Sequence, residues 1–147
     1  MFGKAQLDET THELRRKLNV SDAVSINDLA KVVGARAECD ITIDAYDFEC
    51  SEIYGVCVSN GKRAAIRVRA DALPRHFMYI ACHELAHALE GDTASGPFVH
   101  VHYRDYEPRT SAERKTEDLG RALYRLCRPA VPVTLGDPGL DAYIESL

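Results

Sequence analysis

The chain predicts an α+β domain, on three observations. Apolar residues recur at helical spacing in four separate stretches. Between the second and third lies an Asn60-Gly61 pair flanked by residues that alternate apolar and polar, the pattern of a hairpin. The third stretch is apolar around more than half its circumference yet carries His83-Glu84-Leu85-Ala86-His87. With 147 residues and 46% apolar content, the chain has material for one core and reads as a single domain over 1–147.

Residues 5 to 19 predict the first helix, with Leu7, Leu14 and Leu18 at helical spacing and Arg15, Arg16 and Lys17 on other faces. His12-Glu13 within it is a surface pair. Ser25 caps a short second helix whose apolar side is Leu29, Ala30, Val32 and Val33, and Gly34 is expected to end it. Residues 36 to 44 read as extended, with Ile41 and Ile43 on one side, and the acidic segment 45 to 52 as a loop. Ile53 to Val58 reads as a strand, and Asn60-Gly61 as its turn. Ala64, Ile66, Val68 and Ala70 then alternate with Arg63, Ala65, Arg67 and Arg69, a strand with one wet face. That arginine row is a solvated sheet face or, alternatively, the lining of a groove.

Asp71 is the expected cap of the motif helix and Pro74 sits in its first turn. Leu73, Phe77, Met78, Ile80, Ala81, Leu85, Ala88 and Leu89 make it largely buried. Histidines four apart lie on one helical face one turn apart, so both imidazoles reach one ion at about 2.0–2.1 Å. Buried polar groups need partners, and a metal satisfies both rings at once. Glu84 lies about 100° round the helix from His83, outside the ligand set but beside a metal-bound water. A zinc-bound water has a pKa of about 7, and a neighbouring carboxylate takes its proton and passes it to a leaving amine. His76 shares the face of His83 but lies about 10 Å along the axis, too far for the same ion.

Gly91 ends this helix, and residues 92 to 109 read as a long connection rich in turn residues. It holds His100, His102, Tyr103, Asp105 and Tyr106. Ser111 to Arg128 predicts the last helix, with Ala112, Thr116, Leu119, Gly120, Leu123, Leu126 and Cys127 as its stripe and Arg114, Asp118, Arg121 and Arg125 facing away. Residues 129 to 147 are expected to form a loosely packed tail, with one helical turn near Ala142-Tyr143-Ile144.

A catalytic zinc site needs a third protein ligand. Glu113 is the first choice, since Thr116, Leu119, Gly120 and Leu123 follow it along the core face and Gly120 admits close helix approach. Thr110-Ser111-Ala112-Glu113 also fits a capping box, which would occupy the same carboxylate. Glu117, one turn on, is the competitor. No His-x-x-Gly-x-x-His extension follows His87, so a third histidine of the metzincin kind is not expected. Tyr103, His102 and Tyr106 are candidates for the group that stabilises the oxyanion.

The net charge of −5 with both signs mixed argues against a nucleic-acid surface. No apolar run approaches a membrane span, the N-terminus lacks an apolar signal core, and the five cysteines include no Cys-x-x-Cys. A cytoplasmic protein with reduced thiols is the expectation.

These residues together resemble the ImmA/IrrE family of zinc metallopeptidases. The resemblance spans roughly residues 20 to 127: Ile26-Asn27-Asp28-Leu29-Ala30, Ile53-Tyr54-Gly55-Val56, the arginine-bearing hairpin, His83-Glu84-Leu85-Ala86-His87-Ala88-Leu89, and Glu113-x-x-Thr116-x-x-Leu119-Gly120. Two departures stand out: Thr116 replaces the family's small Ala, and the Leu-Leu-x-Pro ending is missing from its expected place. The resemblance implies a zincin-like α+β domain, its small mixed or antiparallel sheet packed on a central metal helix. It also implies His83, His87 and Glu113 as zinc ligands and Glu84 as catalytic base. Its functional implication is an endopeptidase that cleaves or inactivates a protein partner, such as a helix-turn-helix repressor of a phage, mobile element or stress response. The competing expectation is a binding protein, antirepressor or toxin-like, that keeps zinc for stability; a fourth protein ligand such as His100 or His102 would favour it.

Overall fold

A computed structural model describes residues 3–20 and 23–128. Its elements run α1 Lys4–Lys17, α2 Ile26–Ala37, β1 Asp40–Tyr46, β2 Ile53–Ser59, β3 Arg63–Arg69, α3 Pro74–Leu89, β4 Phe98–Tyr103 and α4 Ser111–Leu126. The strands form one mixed sheet in the order β1-β3-β2-β4. β1 pairs parallel with β3, whereas β2 pairs antiparallel with both β3 and β4. The class is therefore α+β, with a small mixed sheet.

The hairpin forms where the sequence places it, one residue later than expected. Ser59 pairs with Ala64, and Asn60 N–H donates to Arg63 O, so Gly61 and Lys62 are the central pair. Gly61 takes φ +96°, and the Asn60 side chain accepts from the N–H groups of Lys62 and Arg63. Along β3 the alternation holds: Ala64, Ile66 and Val68 are buried while Arg63 and Arg67 are exposed. The wet face is the one away from the helices; α2 packs on β1, and α3 packs on β2 and β3.

α3 is the middle layer, contacting α2, the sheet and α4. Leu73, not Asp71, is its N-cap, and Pro74 occupies the first helical position, where a missing N–H costs nothing. Asp71 instead pairs with Arg69 at 3.6 Å. Two glycines let neighbours approach α3. A Cβ on Gly55 would lie 2.6 Å from Ile80 Cγ2, and one on Gly120 would lie 3.1 Å from His83 Cα. Ile80, Leu85, Ile66, Leu29 and Leu123 are fully buried around this helix.

Other boundaries moved as well. α2 passes Gly34 and ends at Ala37, because Glu38 takes the left-handed conformation at φ 56° and Cys39 N–H returns to Gly34 O. Ala45 and Tyr46, expected in a loop, extend β1 through parallel pairing with Val68 and Arg69. The connection after Gly91 is not wholly irregular: Phe98 to Tyr103 pair with β2 as an edge strand. In α4, Asp118 turns inward and is buried, although the helical wheel set it with the outward arginines. The tail at 129–147, with its expected turn near Ala142-Tyr143-Ile144, lies outside the described residues.

Candidate metal centre

His83 and His87 stand one turn apart on α3, as the i, i+4 spacing requires, with ring centroids 5.2 Å apart. Each ring is held by a carboxylate. His83 Nδ1 lies 3.1 Å from Glu117 Oε2, and His87 Nδ1 lies 2.9 Å from Asp92 Oδ2. A carboxylate only accepts, so both rings carry the proton on Nδ1 and leave the Nε2 lone pair free. Both Nε2 atoms are buried and have no hydrogen-bond partner among the described residues. Buried polar atoms without partners are rare and need an explanation. A divalent cation supplies one, and a carboxylate behind each ligating histidine is what fixes tautomer and ring orientation at such sites.

A third ring joins them from β4. One nitrogen from each of His83, His87 and His100 falls within 4.8 Å of the others. His100 repeats the same theme: its Nδ1 donates to Glu84, at 2.9 Å from Oε1 and 3.1 Å from Oε2. Two residues on, His102 points to the same side, with Nδ1 3.9 Å from Glu84 Oε1. Strand periodicity explains this, since i and i+2 share a face. Glu84 itself is completely buried beneath these two rings.

Electrostatics keeps His83 and His102 neutral. Burial, reinforced by the charges of His102, His87 and His100, pushes the His83 pKa down to about 2. Burial and the neighbouring histidines lower His102 to about 4. At His100 burial also opposes the charge, but the hydrogen bond and charge of Glu84 outweigh it and the pKa rises. Burial raises the Glu117 carboxyl, partly offset by Arg121. The neutral rings present lone pairs, which is the state a metal binds.

The structure does not bring Glu113 into this ring cluster. Its Oε2 accepts from the backbone N–H groups of Arg109 (2.6 Å) and Thr110 (3.3 Å), while Thr110 Oγ1 accepts from Glu113 N. The capping box holds the carboxylate at the start of α4, and its pKa is lowered by those two N–H bonds. Glu113 still lines the cleft of about 410 Å³ that opens over His87, Asp92, His100 and Tyr106. Glu117 lies deeper, against His83, where it orients a ring.

Sequence reasoning did not single out Asp92, and it named His100 as a candidate fourth ligand in a loop rather than as an inward-facing residue of a strand. The signal for His100 was present in the alternation of Phe98-Val99-His100-Val101-His102-Tyr103, masked by the turn residues Ser95-Gly96-Pro97 before it. Of the oxyanion candidates, Tyr106 and His102 both border the centre, the Tyr106 ring 4.9 Å from those of His83 and His102. Burial raises its hydroxyl to about 12, so it stays a donor. Tyr103 is half exposed. His76 packs on Tyr54 and stays outside the cluster. A larger basin of about 740 Å³ lies on the open sheet face between Tyr46, Arg63 and Arg67, and no histidine lines it. The arginine row thus belongs to that outer face, with Arg69 tied to Ile53 O at 3.0 Å.

Comparison with protein-family models, with curated proteins and with solved structures found no match. Among the described residues no helix is long and apolar enough to cross a membrane.

Proposed function

We propose that this chain is a zinc-dependent endopeptidase of the zincin kind, acting on a protein substrate in the cytoplasm. One observation carries the reading: two buried Nε2 atoms one helical turn apart, without a partner among the described residues, on rings tied from behind by Glu117 and Asp92. His83 and His87 would hold the ion, and His100 is the third donor that the geometry favours. Glu113, the ligand implied by the resemblance, would have to leave its capping box to take that place. Zinc bound there supplies a Lewis acid and acidifies water.

The remaining chemistry belongs to the chain. Glu84 takes the proton of the attacking water on a carboxylate oxygen and returns it to the leaving amine. His100 Nδ1 holds that carboxylate in place. Tyr106, with its raised pKa, donates its hydroxyl proton in a hydrogen bond to the developing oxyanion. The resemblance to ImmA/IrrE proteins supports a regulatory protein as substrate, such as a helix-turn-helix repressor.

A second reading, a zinc-stabilised antirepressor or toxin-like binding protein without cleavage, is favoured by one observation. His100 and Glu113 line one cleft, so a Glu113 released from its capping box would raise the donor count to four and close the site. Glu84→Gln separates the two. The enzyme reading expects unchanged zinc content and loss of casein cleavage. A wild type that cleaves nothing, with four protein ligands by X-ray absorption, establishes the second reading instead.

A further inference from the structure

The seam between α3 and α4 carries a pair of thiols that the zinc reading does not use. Cys82 Sγ and Cys127 Sγ lie 3.7 Å apart. Cys82 immediately precedes His83 on α3; Cys127 is the C-cap of α4, the helix that bears Glu117. Cys82 is fully buried, and Cys127 is 6% exposed. Both belong to the same apolar cluster, where the Cys127 thiol also donates to Leu123 O at 3.5 Å.

We propose that Cys82 and Cys127 form an oxidative modification site, a dithiol that a peroxide converts to a disulfide across the α3–α4 seam. A disulfide needs about 2.05 Å between sulfurs, so the pair must close by about 1.7 Å. Proximity by itself is common in cores; two further features give this pair its direction. Cys127 stands where α4 ends and the backbone turns extended, at φ −77° and ψ 148°, and it keeps 6% of its surface exposed where Cys82 keeps none, so it is the residue of the pair nearer to solvent. The backbone around Cys127 is anchored by Val24, whose N–H donates to Leu126 O and whose carbonyl accepts from Arg128 N, so the thiol is held facing Cys82.

The chemistry balances with one peroxide. The Cys127 thiolate attacks a peroxide oxygen; the O–O bond breaks, hydroxide leaves, and Cys127 becomes a sulfenic acid. The Cys82 sulfur then attacks the Cys127 sulfur; the S–O bond breaks and the hydroxyl leaves as water. Two thiols and one hydrogen peroxide give one disulfide and two waters. The two sulfurs are oxidised and the peroxide oxygens reduced. The product joins the residue before His83 to the end of the helix that orients it, closing the seam behind the histidine cluster.

The test uses the full chain with exposed Cys50 replaced, Cys50→Ser, to prevent links between molecules. The protein is treated with hydrogen peroxide, quenched, denatured, alkylated and mapped by mass spectrometry. The expected result is loss of two hydrogens, no alkylation at Cys82 or Cys127, and one linked peptide containing both, reversed by dithiothreitol. In Cys127→Ser, Cys82 should remain alkylatable at the same dose. Recovery of both cysteines as free thiols overturns the proposal, as does a link through Cys39 or Cys57. Since the readout is a covalent bond and not cleavage, it stands or falls apart from the peptidase reading.

Discussion

Replacing Glu117 tests the proposed metal centre at its support. The carboxylate accepts from His83 Nδ1 at 3.1 Å, with Glu117 and His83 only 6% and 1% exposed. Hydrogen bonds to a charged partner contribute about 1.5–3 kcal/mol, and removing the carboxylate behind a metal-bound histidine typically weakens metal affinity about 10–100-fold. Glu117→Gln keeps an acceptor oxygen and loses the charge, so zinc affinity should fall roughly tenfold, or about 1.4 kcal/mol. Glu117→Ala leaves the buried Nδ1–H with no acceptor and should cost roughly a hundredfold, about 2.7 kcal/mol. Competition titration against a chromophoric zinc chelator measures both, with circular dichroism to check the fold. An affinity for Glu117→Ala within about twofold of wild type would refute the orienting role. Complete loss of zinc from both variants would refute it in the other direction, by making Glu117 a ligand.

Three further perturbations probe the rest. Glu113→Ala should keep its zinc while losing a little melting temperature through the capping box, whereas His100→Ala should lose most of its zinc; metal analysis of the two purified variants gives the third ligand. Gly55→Ala drives a Cβ to within 2.6 Å of Ile80 Cγ2 and should destabilise by about 1–3 kcal/mol in urea denaturation, with Ile80→Leu relieving part of the loss. The metal-free protein should melt lower at pH 5 than at pH 7. His83 and His102 fall from 6.5 to about 2 and about 4 on folding, so below pH 6.5 the unfolded chain takes up protons that the folded one refuses. Each such histidine costs roughly 2 kcal/mol between those pH values. His100, whose pKa rises, offsets part of the loss. A flat profile in the presence of chelator would contradict the buried neutral state.

What the sequence determined by itself is local. Two histidines four apart must share a helical face, and a strand that alternates Ala64, Ile66 and Val68 with arginines must have one wet side, whatever surrounds it. The α+β class follows from those same short periods. The competition at Glu113 was also visible, because a capping box spans only four residues; the structure gives the carboxylate to its own helix start, where the acceptors' partners are three and four residues away. What surrounds the histidines was decided elsewhere. Glu117 is 34 residues from His83 and His100 is 16 from Glu84, and no periodicity carries information across such gaps. Those meetings depend on β4 joining the sheet beside β2 and on Gly120 letting α4 lie against His83. Packing of whole elements sets them, so only the folded chain shows which carboxylate stands behind which ring.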